Sequence, residues 1–291
     1  MYNCCLFCVP GRLHVLKYLV ELCFRCYPVS EHLIAIAKMK EKIALVTGAS
    51  SGIGRAVSLL FAQNGAHVLA VGRNQSELGG LRDDARKLDG SVKTHLADLT
   101  VTSQVDRVVT DTIEAFGKID VLVNCAGIIK TGSIEDTTLG DWDKMMNVNL
   151  RSMFYLTQKC VPYLVRTKGN VVNVSSVTGA RAFPNVLAYC VSKAATDQLT
   201  RCAALELASR GVRVNAVNPG VVITNLHKRG GMSEANYEKF VENAQNTHPL
   251  GRAGTPEEVA ELILFLASEK AGWITGATYE IDGGRAQTCA R

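Results

Sequence analysis

The chain has 291 residues, of which 47% are hydrophobic and 20% charged, with a formal net charge of +5. This is the composition of an ordinary globular protein with ample core material, and it excludes a low-complexity or fibrous chain. Five Lys or Arg against two Glu in residues 1–40 supply part of the positive excess, so the remainder is near balance and carries no basic stripe for a nucleic-acid partner.

Residues 1–38 differ in character from the rest of the chain. Half of the ten cysteines lie within the first 26 residues, and the others are scattered through apolar segments, which reads as reduced thiols in a cytoplasmic protein. Cys5-x-x-Cys8 and Cys23-x-x-Cys26 approach zinc-ribbon spacing. The stretch between them instead sets Leu16, Leu19, Val20 and Cys23 opposite His14, Lys17, Glu21 and Arg25, an amphipathic helix pattern, so no metal site is expected. Lys17 and Glu21 interrupt the apolar run, which excludes a transmembrane span and a standard signal peptide. The segment is expected to be an amphipathic or disordered extension, with peripheral contact to a membrane surface as one role for its apolar face.

After residue 40 strand-like and helix-like segments alternate. The runs Ile43–Val46, Val68–Val71, Val121–Val123 and Val171–Val174 are short and apolar enough for buried strands. A helix-length stretch carrying Val108, Ile113 and Phe116 ends at Gly117. Thr255-Pro256-Glu257-Glu258 reads as a capping box with proline in the first turn, opening a helix with Val259, Leu262, Ile263 and Leu266 on one side. Repeated βα units with near-continuous apolar strands predict one α/β domain over 39–291, a doubly wound parallel sheet with helices on both faces.

The first strand runs into Thr47-Gly48-Ala49-Ser50-Ser51-Gly52-Ile53-Gly54 and then an apolar helix. Glycines there allow a tight turn and close backbone approach, while free N–H groups and the helix dipole face an anion, so the segment reads as a dinucleotide pyrophosphate site. Arg73 stands after the second strand, where an NAD-preferring site would place an acid against the ribose. A guanidinium receives a 2′-phosphate in bidentate fashion, which favours NADP(H) over NAD(H). Asp98 and Leu99 follow the third strand, in reach of an adenine amino group, and Asn124, Ala126 and Gly127 follow the fourth, beside the adenine ribose.

Tyr189 and Lys193 are four residues apart, with Ser176 thirteen residues upstream. Residues at i and i+4 share a helix face, so the ammonium is expected to lower the phenol pKa and adapt it to acid–base work.

These motifs in this order, with Asn149 in Asn147-Val148-Asn149-Leu150 and Asn218-Pro219-Gly220 with Thr224, resemble the short-chain dehydrogenase/reductase family over residues 40 to about 284. Within that family the chain is similar to 3-oxoacyl carrier-protein reductase and hydroxysteroid-type members. The resemblance implies a Rossmann fold, commonly in a homotetramer, that moves a hydride between NADP(H) and a carbonyl or secondary alcohol. It implies that Tyr189 transfers the proton, Ser176 holds the carbonyl oxygen, Lys193 binds the nicotinamide ribose, and Asn149 holds a water relaying protons from Lys193. Pro219, Gly220, Val222 and Thr224 would position the nicotinamide carboxamide. Residues 221–252 form an insertion before the last helix that reads as a substrate lid. With Val177, Phe183 and Val186 flanking the site, the small-molecule substrate is expected to be partly apolar, of ketone, ketosteroid or 3-oxoacyl type. The alternative is a non-catalytic NADP-binding scaffold or sensor.

Overall fold

The computed structural model describes residues 39–288. The readings of residues 1–38, including the paired cysteines and the membrane-facing helix, lie outside these residues. The first half of the domain runs β1 (Ile43–Thr47), α1 (Gly52–Gln63), β2 (His67–Gly72), α2 (Gln75–Asp84), β3 (Ser91–Leu96), α3 (Thr102–Phe116) and β4 (Val121–Asn124). It continues through α4 (Leu139–Met146), α5 (Ser152–Thr167), β5 (Asn170–Val174), α6 (Val177–Ala180), α7 (Leu187–Leu207) and β6 (Arg213–Pro219). Three short helices follow, α8 (Leu226–Arg229), α9 (Glu234–Glu242) and α10 (Ala244–Thr247), before α11 (Pro256–Ala267) and β7 (Thr278–Ile281).

The strands form one seven-stranded sheet in the order β3-β2-β1-β4-β5-β6-β7, and every pairing is parallel. All five β1 residues are buried, because alternate side chains enter opposite cores. Ala44 and Val46 pack with Val57 and Phe61 of α1, Leu78 and Leu81 of α2, and Val259 and Ile263 of α11. Leu45 packs on the other face with Val105 and Val108 of α3, Leu156 and Leu164 of α5, and Leu207 of α7. This is the expected doubly wound sheet, and near-continuous apolar strands are its direct cause.

Local signals act as read. Thr255 and Glu258 form a reciprocal capping box with proline behind it. Gly117 ends α3 at φ 79°, a left-handed conformation that glycine adopts without a Cβ penalty. Among the described residues no helix is long and apolar enough to cross a membrane, and Cys125, Cys160, Cys190 and Cys202 are free.

Sheet order reverses direction beside β1, since β2 continues on one side and β4 on the other. Crossovers on the two sides diverge there, opening a crevice beyond the strands' C-terminal ends.

Candidate active site

A cavity of about 1090 Å³ occupies this crevice. Its wall takes residues from the end of each strand from β1 to β6: Gly48, Arg73, Asp98, Ala126, Ser176 and Gly220 are examples.

The glycine turn fits a dinucleotide phosphate. Gly48 has φ +65°, and a Cβ on it would stand 2.9 Å from the Ala126 backbone. A Cβ on Gly54 would lie 2.5 Å from the Gly48 carbonyl oxygen, so a larger residue would push the turn away from α1. Ser51 occupies the α1 N-cap with no side-chain capping bond, and the first turn carries no acidic residue. The N-terminal N–H groups of a 12-residue helix therefore face the cavity mouth with their positive end uncompensated. Ser50, Ser51, Gly52 and Ile53 line the cavity beside them.

Thr47 joins this turn to the next strand end, its hydroxyl accepting from the N–H groups of Cys125 at 2.9 Å and Ala126 at 3.1 Å. Ala126 and Gly127 thereby form the cavity floor. Asn124 points elsewhere: its amide donates to Thr157 Oγ1 at 3.0 Å and Asn173 Oδ1 at 2.9 Å, a buried clamp between β4 and its neighbours. Arg73 is exposed at the cavity rim. Asp98 and Leu99 line the same cavity, and the Asp98 carboxylate accepts from Thr100 N–H and hydroxyl at 2.9 and 2.7 Å. Those bonds, with the Arg73 charge, hold its pKa below the usual carboxylate range.

Tyr189 and Lys193 lie in the first half of α7, both buried, with Nζ of Lys193 5.6 Å from the phenol ring centroid. Nζ donates to the Val174 carbonyl at 2.8 Å. The expected lowering of the phenol pKa is not what this geometry gives. Burial pushes the Tyr189 phenol up to about 12 while hydrogen bonding to Ser176 pulls the other way, and burial brings Lys193 down to about 8. The spacing delivers proximity, but withdrawal from water acts on both groups and favours their neutral forms. Ser176 caps α6, its Oγ accepting from Thr178 N–H at 3.2 Å. Ser175 turns away and donates to the Lys193 carbonyl at 3.1 Å.

Asn149 is fully buried in a π-helical turn, Asn147–Arg151, between α4 and α5. Its side chain accepts from Ile128 N–H at 2.8 Å and donates to the Ile128 carbonyl and Ser192 Oγ, each at 3.0 Å. Such single-turn bulges open the regular helical ladder, frequently beside functional sites. A Cβ on Gly127 would stand 3.4 Å from Asn149 Oδ1 and 3.7 Å from Lys193 Nζ, so the two side chains converge under that glycine.

Residues beyond β6 cover the cavity. Pro219, Gly220, Val222 and Thr224 all line it. Val221 O and Ile223 N–H bond Gly254 at 2.9 and 3.0 Å, which turns the intervening Val222 backbone groups the opposite way. Thr224 sits over the phosphate turn, its Cγ2 3.0 Å from where a Gly52 Cβ would be, and its hydroxyl accepts from Leu226 N–H at 3.4 Å. Two residues that the sequence does not single out hold this segment. Tyr237 of α9 accepts the Thr224 N–H on its hydroxyl at 3.0 Å, and buried His248 accepts the Val221 N–H on Nε2 at 3.2 Å. No local motif marks either one, because each acts on a segment more than ten residues away in the chain. Val177, Phe183 and Val186 line the cavity as expected. Among the described residues no cluster of His, Cys, Asp or Glu could hold a metal.

Residues 48–286 match the family model described as enoyl-(acyl carrier protein) reductase. The chain is 43% identical over 248 residues to a 3-oxoacyl-(acyl-carrier-protein) reductase of Thermotoga maritima, covering 85% of this chain and 98% of that one. It is 34% identical to a cyclohexanol dehydrogenase of an Acinetobacter species (84% and 95% covered) and 36% identical to an NAD-dependent glycerol dehydrogenase of Listeria innocua (84% and 93% covered). A cofactor-containing crystal structure of a Caenorhabditis elegans short-chain dehydrogenase/reductase of unknown function superposes with a TM-score of 0.82 at 38% identity, covering 87% of this chain and 98% of that one. By fold, cavity position and these matches, the chain belongs to the short-chain dehydrogenase/reductase family of oxidoreductases.

Proposed function

We propose that the protein is an NADP(H)-dependent reductase of a carbonyl group, or dehydrogenase of the corresponding secondary alcohol, on a partly apolar small molecule of ketone, ketosteroid or 3-oxoacyl type. The observation that carries this reading is the placement of Ser176, Tyr189 and Lys193 on the wall of the same cavity that the glycine turn lines. The bound nicotinamide supplies hydride chemistry. Gly48, Ser50, Ser51, Gly52, Ile53 and Gly54 hold the pyrophosphate against the α1 N-terminus. Ser176 Oγ donates to the substrate oxygen; the neutral Tyr189 phenol delivers its proton to that oxygen in reduction, and its phenolate takes the proton from the alcohol in oxidation. Lys193 binds the nicotinamide ribose hydroxyls, and the turn around Asn149 gives the ammonium its route to solvent protons.

Residues 39–291 constitute the nucleotide-binding domain in this reading, and 221–252, built from α8, α9 and α10, close over the substrate as a lid. Val177, Phe183 and Val186 supply the apolar wall that favours a substrate with a hydrocarbon body. The reading includes a cytoplasmic homo-oligomer, a tetramer as the family resemblance implies. Fully exposed Trp273, in the segment leading into the edge strand β7, favours a covered surface there.

Family membership leaves the coenzyme open, since the Listeria relative is NAD-dependent by name. The preference for NADP rests on Arg73, a charge at the rim that no carboxylate replaces. We expect wild-type protein to show higher kcat/KM with NADPH than with NADH. Charge-assisted hydrogen bonds of this kind contribute about 1.5–3 kcal/mol, so Arg73→Glu should cut the NADPH-to-NADH ratio by roughly 10- to 100-fold or more. Steady-state kinetics with both coenzymes decides the matter, and a wild-type preference for NADH would overturn the assignment.

A further inference from the structure

Arg229 ends α8, yet its guanidinium reaches across the cavity mouth to the coenzyme wall. Nη1 donates to Ser51 Oγ at 2.9 Å, and Nη2 donates to both carboxylate oxygens of Glu77 at 2.9 and 2.8 Å. Ser51 is the N-cap of α1, while Glu77 lies in the first turn of α2, four residues after Arg73. The contact thus spans the corner between the phosphate turn and the end of β2.

Its electrostatics are mismatched. A guanidinium beside a helix N-terminus opposes the macrodipole, and the first turn of α1 has no acidic side chain to offset it. Glu77 supplies the counter-charge, but the pair is open to water, with Arg229 side chain 50% and Glu77 33% exposed, so it contributes little by itself. A dianionic phosphate at this corner would replace Glu77 as the better partner and satisfy the helix terminus at once. The chain behind Arg229 permits the exchange. Gly231 has φ +102° with open space around it, and Gly230 passes so close to the Ile129 carbonyl that a Cβ would stand 2.7 Å from that oxygen.

We propose that Arg229 is a second guanidinium for the 2′-phosphate of NADP, carried by the lid, parked on Glu77 and Ser51 until the phosphate arrives. The proposal rests on the NADP reading and adds to it that coenzyme selection and lid position are coupled: NAD, lacking the phosphate, leaves Arg229 on Glu77.

Isothermal titration of the full chain with 2′,5′-ADP, 5′-AMP, NADPH and NADH tests this without turnover, in wild type, Arg229→Gln and Arg73→Gln, each checked for an unchanged thermal transition. The expected result is a wild-type margin for 2′,5′-ADP over 5′-AMP that falls at least tenfold in Arg229→Gln, with NADPH weakened alike and 5′-AMP and NADH held within twofold. A margin unchanged in Arg229→Gln but reduced in Arg73→Gln overturns the role of Arg229 and leaves the NADP reading standing. Equal weakening of all four ligands also overturns it, placing Arg229 in general lid closure. Absence of a margin in wild type defeats both readings.

Discussion

Tyr189→Phe is expected to lose about 10²- to 10⁴-fold in kcat while NADPH still binds, the range typical of removing one positioned proton donor. The substitution deletes one oxygen and keeps the ring that packs with Met145, Ala188 and Val186. The fold therefore has no reason to change. The protonation states give a direction to the effect. With the phenol pushed up to about 12 by burial, Tyr189 is a proton donor throughout the neutral range, as carbonyl reduction requires. Oxidation needs the same oxygen to accept a proton, so the alcohol-to-carbonyl rate should climb with pH. Reduction should stay level to about pH 8 and fall beyond it, as Lys193 loses its charge. Turnover in Tyr189→Phe within threefold of wild type, measured at saturating coenzyme, would remove Tyr189 from the chemistry.

Lys193→Met is expected to abolish most turnover and to stabilise the fold. Lys193 is buried and brought from 10.5 down to about 8, which corresponds to a penalty on the order of 3 kcal/mol for holding the charged form inside. The unfolded chain binds the proton more tightly than the native one. The penalty is therefore complete below pH 8, shrinks as pH rises from about 8 to 10.5, and is gone above that. Methionine keeps the buried hydrocarbon but leaves the Val174 carbonyl without the 2.8 Å donor, which gives back part of the gain. Denaturant unfolding at pH 7 should show the variant about 1–3 kcal/mol more stable, with the difference closing by pH 10.5. A variant less stable than wild type at pH 7 would mean that the Val174 bond outweighs desolvation. Function retained against stability is the expected pattern where a charge must sit in a dry site.

How much of this is legible in the chain depends on the range over which each feature is decided. The β1 strand, the glycine turn, the Thr255 capping box and the Gly117 terminus depend on residues within a few positions, and they stand where the sequence puts them. The Asn149 bulge does not. No neighbouring residue marks the π turn, which coincides with an amide tied to Ile128, 21 residues away. Asn124 shows the same limit from the other side: it closes a motif at a strand end, but alternation along β4 turns it into the network with Thr157 and Asn173. The pKa of Tyr189 departs from the sequence-based expectation because helical spacing reports the distance to Lys193 and says nothing of burial, the largest influence on both groups. Arg229 and Ser51, 178 residues apart, meet only through the fold.

In the proposed reaction this cavity reduces a carbonyl with hydride from NADPH and a proton from Tyr189. Its most direct test is to incubate purified wild-type protein with NADPH and ketones, quinones, ketosteroids or acetoacetyl thioesters, measuring coenzyme absorbance and product together. At least one class is expected to give alcohol and NADP in equal amounts, with both suppressed in Tyr189→Phe. NADPH bound tightly but consumed with none of these classes would contradict it and leave a coenzyme-binding scaffold.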